Sequence, residues 1–300
     1  MKGICEGRVV VITGAGRGIG RGHALEFARQ GARVVVNDLG VRVDGGAPTE
    51  GPAHEVAEEI RRLGGEAVAN ADDVSDFAGA ERLIQTAVNT FGRLDVLVNN
   101  AGILRDRMFM NMSEDEWDAV IGVHLKGTFA PTKHAVAYWR GLAKSGASVD
   151  ARVINTSSTS GIFGNVGQSN YGAAKAGIAA FTIILSQELE RYGITVNAIA
   201  PGALTRMTEN LVLSRPEVPA GQFNPRDAEN IAPLVVWLGS PESRAVTGRL
   251  FLVSGGRISV AEGWRRGPTV AQEGRWDPAK LGAVIPGLVA EAAVNSTMRS

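Results

Sequence analysis

The chain has 300 residues, and its 31 Lys and Arg balance 31 Asp and Glu, so it lacks the basic field that draws nucleic acid or an anionic membrane to a protein surface. Cys5 is the single cysteine and precludes an internal disulfide, four scattered histidines offer no metal-ligand spacing, and no apolar run approaches the ~18 residues that span a bilayer. The expectation is an unprocessed cytoplasmic protein of one α/β domain, with small-molecule partners, no metal, no nucleic acid and no membrane anchor.

Residues 8 to 13, Arg-Val-Val-Val-Ile-Thr, are too continuously apolar for a half-exposed strand and predict a buried parallel one. Thr13-Gly14-Ala15-Gly16-Arg17-Gly18-Ile19-Gly20 follows and opens a helix carrying Ala24, Leu25, Phe27 and Ala28. Glycines there permit a tight turn and close approach to a pyrophosphate, whose charge the free N–H groups of the helix start attract. A second run, Arg33 to Asn37, ends at Asp38. A carboxylate at that point can accept both ribose hydroxyls of an adenosine and repels a 2′-phosphate, which selects NAD over NADP. Arg17, a cation near the same loop, argues the other way with less weight, and the structural alternative for Asp38 is a strand-end turn residue.

A Gly- and Pro-rich loop spans 39 to 52 before a helix of Val56, Ile60 and Leu63. A third strand near Ala67-Val68-Ala69 leads to Asp72-Asp73-Val74, and a helix with Leu83, Ile84 and Ala87 follows. The fourth strand, Leu94 to Val98, closes at Asn99-Asn100-Ala101-Gly102. Four alternations of strand and helix imply a doubly wound parallel sheet with ligands at its carboxyl edge. Ser113 and Glu116 form a capping box that starts a helix through Trp117, Val120, Ile121, His124 and Leu125, which Gly127 and Pro131 should weaken or kink.

Val153-Ile154 predicts another strand, with Ser158 at its end, and Ala173 to Leu185 predicts an amphipathic helix. On that helix Tyr171 and Lys175 share one face, four residues apart. A free phenol has a pKa near 10 and is a weak base at neutrality, and an adjacent fixed ammonium should lower it. The alternative is a surface lysine beside a half-buried tyrosine.

Thr13-Gly-x-x-x-Gly18-x-Gly20, Asn99-Asn-Ala-Gly102, Ser158, Tyr171-x-x-x-Lys175 and Pro201-Gly202, in this order, resemble the short-chain dehydrogenase/reductase family across roughly residues 7 to 256. The resemblance implies a Rossmann fold, a doubly wound parallel sheet of seven strands in the order 3-2-1-4-5-6-7 with helices on both faces, assembled as a homodimer or homotetramer. It implies Tyr171 as general acid/base, Ser158 as holder of the substrate oxygen and Lys175 as a contact to the nicotinamide ribose. For the cofactor it implies Gly14, Arg17, Gly18, Ile19, Gly20, Asp38, Asp73, Val74, Asn99, Ala101, Gly102, Tyr171, Lys175, Pro201, Gly202 and Thr205, with Thr208 the alternative to Thr205 because Arg206 occupies the usual threonine position. His124 stands where the family usually carries an asparagine that supports a water chain to the lysine, so it is either a relay residue or a buried histidine with a satisfied hydrogen bond.

Within the family, Val36 to Gly40, Gly64 to Asn70, Gly102 to Arg107 and Gly164 to Tyr171 resemble the (3R)-hydroxyacyl-CoA dehydrogenase domains of type 2 multifunctional enzymes. Parts also resemble β-ketoacyl-carrier-protein reductases, an NADPH-linked group against which Asp38 argues. The implied reaction is NAD-dependent oxidation of a secondary alcohol, with an acyl-CoA or a steroid-like alcohol as substrate. A regulator that binds NAD without turnover is the alternative of another class, and intact Ser158, Tyr171 and Lys175 weigh against it. Residues 203 to 228 lie where the family places its substrate loop. Beyond the last family strand, Leu250 to Val253, the segment 257–300 carries Trp264, Trp276 and an apolar run through Leu281, Val284, Ile285 and Leu288. Such a segment reads as an extension packed on the core or on a partner subunit.

Overall fold

The computed structural model describes residues 3–40, 51–203, 218–219 and 222–298. Thr205, Thr208 and most of the expected substrate loop lie outside the described residues. The sheet holds eight strands: β1 (Val9–Thr13), β2 (Arg33–Asn37), β3 (Glu66–Asn70), β4 (Val96–Asn99), β5 (Ala151–Thr156), β6 (Ile194–Gly202), β7 (Leu250–Ser254) and β8 (Arg257–Val260). Their order is β3-β2-β1-β4-β5-β6-β7-β8. The first seven are parallel, in the expected order; β8 is the addition, an antiparallel return on β7 that pairs Ser254 with Arg257 and Phe251 with Val260. An antiparallel neighbour needs only a tight turn, supplied here by Gly255, whose φ of 53° lies in the left-handed region.

All five residues of β1 are buried, and the two sheet faces divide them. Val10 and Ile12 enter a core with Phe27, Val56, Ile60 and Leu238, while Val9 and Val11 enter another with Leu83, Ala87 and Trp139. A strand covered on both faces is apolar at every position, and each buried valine contributes roughly 1.5–3 kcal/mol. The covering helices are α1 (Gly18–Arg29), α2 (Gly51–Arg62) and α8 (Ala232–Gly239) on one face, and α3 (Phe77–Phe91) and α5 (Gly127–Lys144) on the other.

Between β4 and α5 lies α4 (Glu114–Ile121), which opens on the expected capping box: the Glu116 N–H donates to Ser113 Oγ and the Ser113 N–H to Glu116 Oε2. The weakening expected at Gly127 takes the form of a π-helical turn over Gly122–Lys126, after which α5 runs through Pro131. After β5 come the short α6 (Thr159–Phe163) and the long α7 (Ser169–Leu189). Past β8, α9 (Ile285–Glu291) has no buried residue, and Trp264 is 99% exposed.

Candidate active site

The chain reverses its winding between β1 and β4, and the carboxyl ends of β1, β2, β4, β5 and β6 meet at that edge of the sheet. The glycine loop after β1 is built to receive a ligand at short range. Gly14 has φ +62°, and a Cβ there would lie 2.7 Å from Ala101 Cα. A Cβ on Gly20 would meet the Gly14 carbonyl oxygen at 2.2 Å, so the helix start sits directly on the loop. Arg17 is the N-cap of α1 and makes no capping bond with its side chain, which leaves the N–H groups of Gly18, Ile19 and Gly20 facing the loop as an anion cradle. Thr13 Oγ1 accepts from the Asn100 and Ala101 N–H groups at 2.9 and 3.0 Å, and the Asn100 amide donates to the Thr13 and Gly14 carbonyls at 3.0 Å each. These bonds join the β1 and β4 loops.

Asp38, at the end of β2, accepts the Gly16 N–H at 2.9 Å and the Gly40 N–H at 2.8 Å. Its carboxylate therefore lies against the glycine loop, with lone pairs left for ribose hydroxyls. Asp73 accepts the N–H and hydroxyl of Ser75, and Val74 packs beside Gly127, where a Cβ would come within 2.9 Å of Cγ2. Buried Asn99 donates to Thr132 and to Asn155, both at 2.9 Å, and Asn155 donates to Thr182. Pro201 and Gly202 end β6 at the same edge. Loop geometry, free helix-start N–H groups and a carboxylate placed for ribose hydroxyls fit a nicotinamide dinucleotide.

Ser158, Tyr171 and Lys175 come together beside this cradle. Ser158 is the N-cap of α6, its hydroxyl accepting the Ser160 N–H at 3.1 Å. Lys175 donates from Nζ to the Thr156 carbonyl at 2.5 Å, and Nζ lies 5.5 Å from the Tyr171 ring centroid. The expected lowering of the phenol pKa is not what this arrangement produces. Burial pushes Tyr171 above its ordinary value, the Ser158 hydroxyl offsets part of that, and the Asp106 carboxylate adds to it. Burial also pushes Lys175 down to about 7, so the ammonium is not the fixed charge that sequence spacing suggests.

His124 sits in the π turn, fully buried, edge-on to Tyr171 with ring centroids 5.1 Å apart. Its Nε2 meets both backbone groups of Ile103, the carbonyl oxygen at 2.7 Å and the N–H at 3.1 Å, so whether it donates or accepts depends on the tautomer. Burial, and after it the Lys175 charge, holds His124 well below its ordinary value and keeps it neutral. Its Nδ1 has no hydrogen-bond partner among the described residues. Gly102 accommodates the ring, since a Cβ there would meet His124 Cε1 at 2.4 Å.

Sequence spacing assigned no role to Asp106, Ser160 or Gln168, although the stretches holding Asp106 and Gln168 stood out. Gln168 donates to Asp106 Oδ2 at 2.8 Å and accepts from Ser160 Oγ at 2.7 Å. No periodicity joins two loops, so their pairing was not readable.

A dinucleotide cradle beside a Ser, Tyr and Lys constellation, at the switch point of a doubly wound sheet, defines an oxidoreductase acting on hydroxyl groups, and the chain belongs to the short chain dehydrogenase family, whose profile matches residues 8–215. It is 45% identical over 287 residues to the hydroxyacyl-CoA dehydrogenase ChsB1 of Mycobacterium tuberculosis, which covers 93% of this chain and 88% of that protein. Against the peroxisomal multifunctional enzyme type 2 of Mus musculus it is 46% identical over 261 residues, covering 87% of this chain and 33% of the mouse protein. A crystal structure of a short chain dehydrogenase from Mycobacterium avium shares 57% identity, with a TM-score of 0.89 over 98% of this chain and 99% of that one.

Proposed function

We propose that the protein oxidises a 3-hydroxyacyl-CoA to the 3-oxoacyl-CoA with NAD. The observation that carries the reaction type is the Tyr171 and Lys175 pair, with Nζ 5.5 Å from the centre of the phenol ring, set with Ser158 of the α6 start beside the glycine cradle. The choice of NAD rests on the Asp38 carboxylate held against that cradle. The acyl-CoA rests on the printed activity of the Mycobacterium tuberculosis relative.

Ser158 holds the substrate oxygen and Tyr171 takes the hydroxyl proton, so that the carbinol carbon can release hydride. NAD, when bound, supplies the hydride acceptor. Lys175 occupies a buried place four residues from the base, its proton labile because burial has brought its pKa to about 7. His124 keeps the loop after β4 in place through Ile103. Gly14, Gly18, Ile19 and Gly20 hold the pyrophosphate, with Arg17 beside it; Asp38 holds the adenosine ribose, Asp73 and Val74 flank the adenine, and Asn99, Ala101, Gly102, Pro201 and Gly202 line the nicotinamide side, with Thr205 and Thr208, outside the described residues, the two candidates for its carboxamide. Residues 1–256 act as one dinucleotide-binding catalytic domain of a homo-oligomer in the cytoplasm. In the segment 257–300, β8 joins the sheet, and the residues after it cover their apolar side chains on the core or on a partner subunit.

A screen at 340 nm with NAD and three substrate groups tests the reading: 3-hydroxyacyl-CoAs, unactivated secondary alcohols and hydroxysteroids. Highest kcat/KM with a 3-hydroxyacyl-CoA is expected. A steroid preferred by tenfold or more would replace the substrate class, and no turnover with any alcohol despite NAD binding would make the protein an NAD-binding regulator.

A further inference from the structure

The loop after β4 and the turn between α6 and α7 are far apart in sequence and locked together in space. The Arg107 N–H donates to the Gly167 carbonyl at 2.8 Å, and Asn170, fully buried, donates to the Arg105 and Glu116 carbonyls at 3.0 and 3.1 Å while its Oδ1 accepts the Tyr171 N–H at 2.7 Å. At the centre lies Gln168, itself buried. Its Oε1 accepts from Ser160 Oγ and from the Asn165 amide at 2.9 Å, and its Nε2 donates to Asp106. Two donors on one side and a carboxylate on the other leave a single orientation for the amide. Ser160 in turn donates its N–H to Ser158 Oγ at 3.1 Å. Hydrogen bonds therefore link the Asp106 carboxylate to Gln168 and Gln168 to the Ser160 side chain, and the backbone N–H of Ser160 carries the link on to the Ser158 hydroxyl.

We propose that Asp106 and Gln168 are positioning residues for the reaction: Gln168 holds Asp106 where its charge opposes ionisation of the Tyr171 hydroxyl and, through Ser160, holds Ser158 in its working orientation. This rests on Tyr171 being the base. Among the described residues, the titratable and charged groups around Tyr171 are Lys175 on α7, His124 in the π turn and, in the loop after β4, Asp106 with Arg105 and Arg107. His124 is neutral, and Arg107 is paired with Glu116 of α4 at 2.8 Å. Asp106 is the anion among them that acts on the phenol, in the direction that raises its pKa. A carboxylate beside a developing phenolate makes that ion harder to form and its conjugate acid a weaker donor, so its charge sets the pH at which the tyrosine becomes a base.

The test is the pH profile of kcat/KM with 3-hydroxyoctanoyl-CoA under saturating NAD at fixed ionic strength. Asp106→Asn keeps the acceptor oxygen for Gln168 and removes the charge. Its acidic limb should move to lower pH, whereas a role in packing alone leaves the limb in place. Gln168→Glu sets two carboxylates at hydrogen-bond distance and should lower kcat/KM about tenfold or more. Asp106→Asn combined with Gln168→Glu restores a donor and an acceptor across the same gap and should recover most of that loss. Thermal melts of all three establish that they fold. Superimposed limbs for the parent and Asp106→Asn would overturn the electrostatic role, and no recovery in a folded double variant would overturn the positioning role. Tyr171→Phe is measured alongside. If it turns over normally the base assignment itself is wrong, whereas an inactive Tyr171→Phe with an unshifted Asp106→Asn sinks this inference alone.

Discussion

Replacing NAD by NADP adds a 2′-phosphate where the account places the Asp38 carboxylate. That carboxylate accepts two backbone N–H groups, from Gly16 and Gly40, at 2.9 and 2.8 Å, and bonds of this charged kind are each worth about 1.5–3 kcal/mol. A Cβ on Gly16 would lie 2.8 Å from Oδ2, which shows how tightly the carboxylate is seated. Swinging it away forfeits both bonds, so it stays and meets the phosphate. A pair of like unit charges about 4 Å apart costs ~4 kcal/mol at an effective dielectric constant near 20, roughly a thousandfold in binding. Arg17, next to Gly16 in the same loop, offsets part of this, which leaves an expected preference for NAD of about 10²–10³ in kcat/KM. Asp38→Asn removes the charge and should cut the preference at least tenfold, chiefly through a lower KM for NADP. Steady-state rates at 340 nm with each cofactor, for both proteins, measure it. Equal kcat/KM for NAD and NADP in the unaltered protein would refute the reasoning.

Two further predictions rest on burial. His23 lies in α1 with both ring nitrogens unpartnered among the described residues, and burial pushes its pKa down to about 3 from 6.5. The unfolded chain therefore takes up a proton below pH 6.5 that the folded chain refuses until near pH 3, so this histidine's contribution to stability is kept above that window and lost as pH falls through it. Between pH 7 and pH 5 the linkage amounts to about 2 kcal/mol. In urea unfolding at fixed protein concentration, His23→Leu should lose about 2 kcal/mol less than the parent over that interval, any packing change being independent of pH; equal losses would contradict it. Removing the chain after Glu262 spares β8 and deletes a segment whose α9 has no buried residue. The shortened protein should keep its fold and lose stability as a homo-oligomer, read by sedimentation velocity, and an unchanged assembly would remove the segment from the subunit interface.

The elements legible in the sequence were those whose cause is local. β1 was readable because a strand buried on both faces must be apolar at every position, and the start of α4 because Ser113 and Glu116 cap it within one turn. The glycine loop was readable because backbone contact such as that between Gly20 and the Gly14 carbonyl admits no side chain. β8 is short and half its residues are polar, but Gly255-Gly256 before the alternating Arg257-Ile-Ser-Val260 is a two-residue hairpin signal that the family's seven-strand pattern hid. What depended on distant partners was not legible. The π turn is one residue's difference in hydrogen-bond register, which periodicity does not register, yet it aims His124 at Tyr171. Spacing placed Lys175 beside Tyr171 but gave no measure of burial, which raises the tyrosine pKa against the lowering expected and brings that of Lys175 down to about 7.

Tyr171→Phe tests the central claim most directly, because it keeps the ring against His124 and deletes only the hydroxyl that takes the proton. NADH formation from 3-hydroxyoctanoyl-CoA should fall by about 10²-fold or more, with NAD affinity, measured by calorimetry, unchanged within about threefold. Near-normal turnover in that variant would contradict the account.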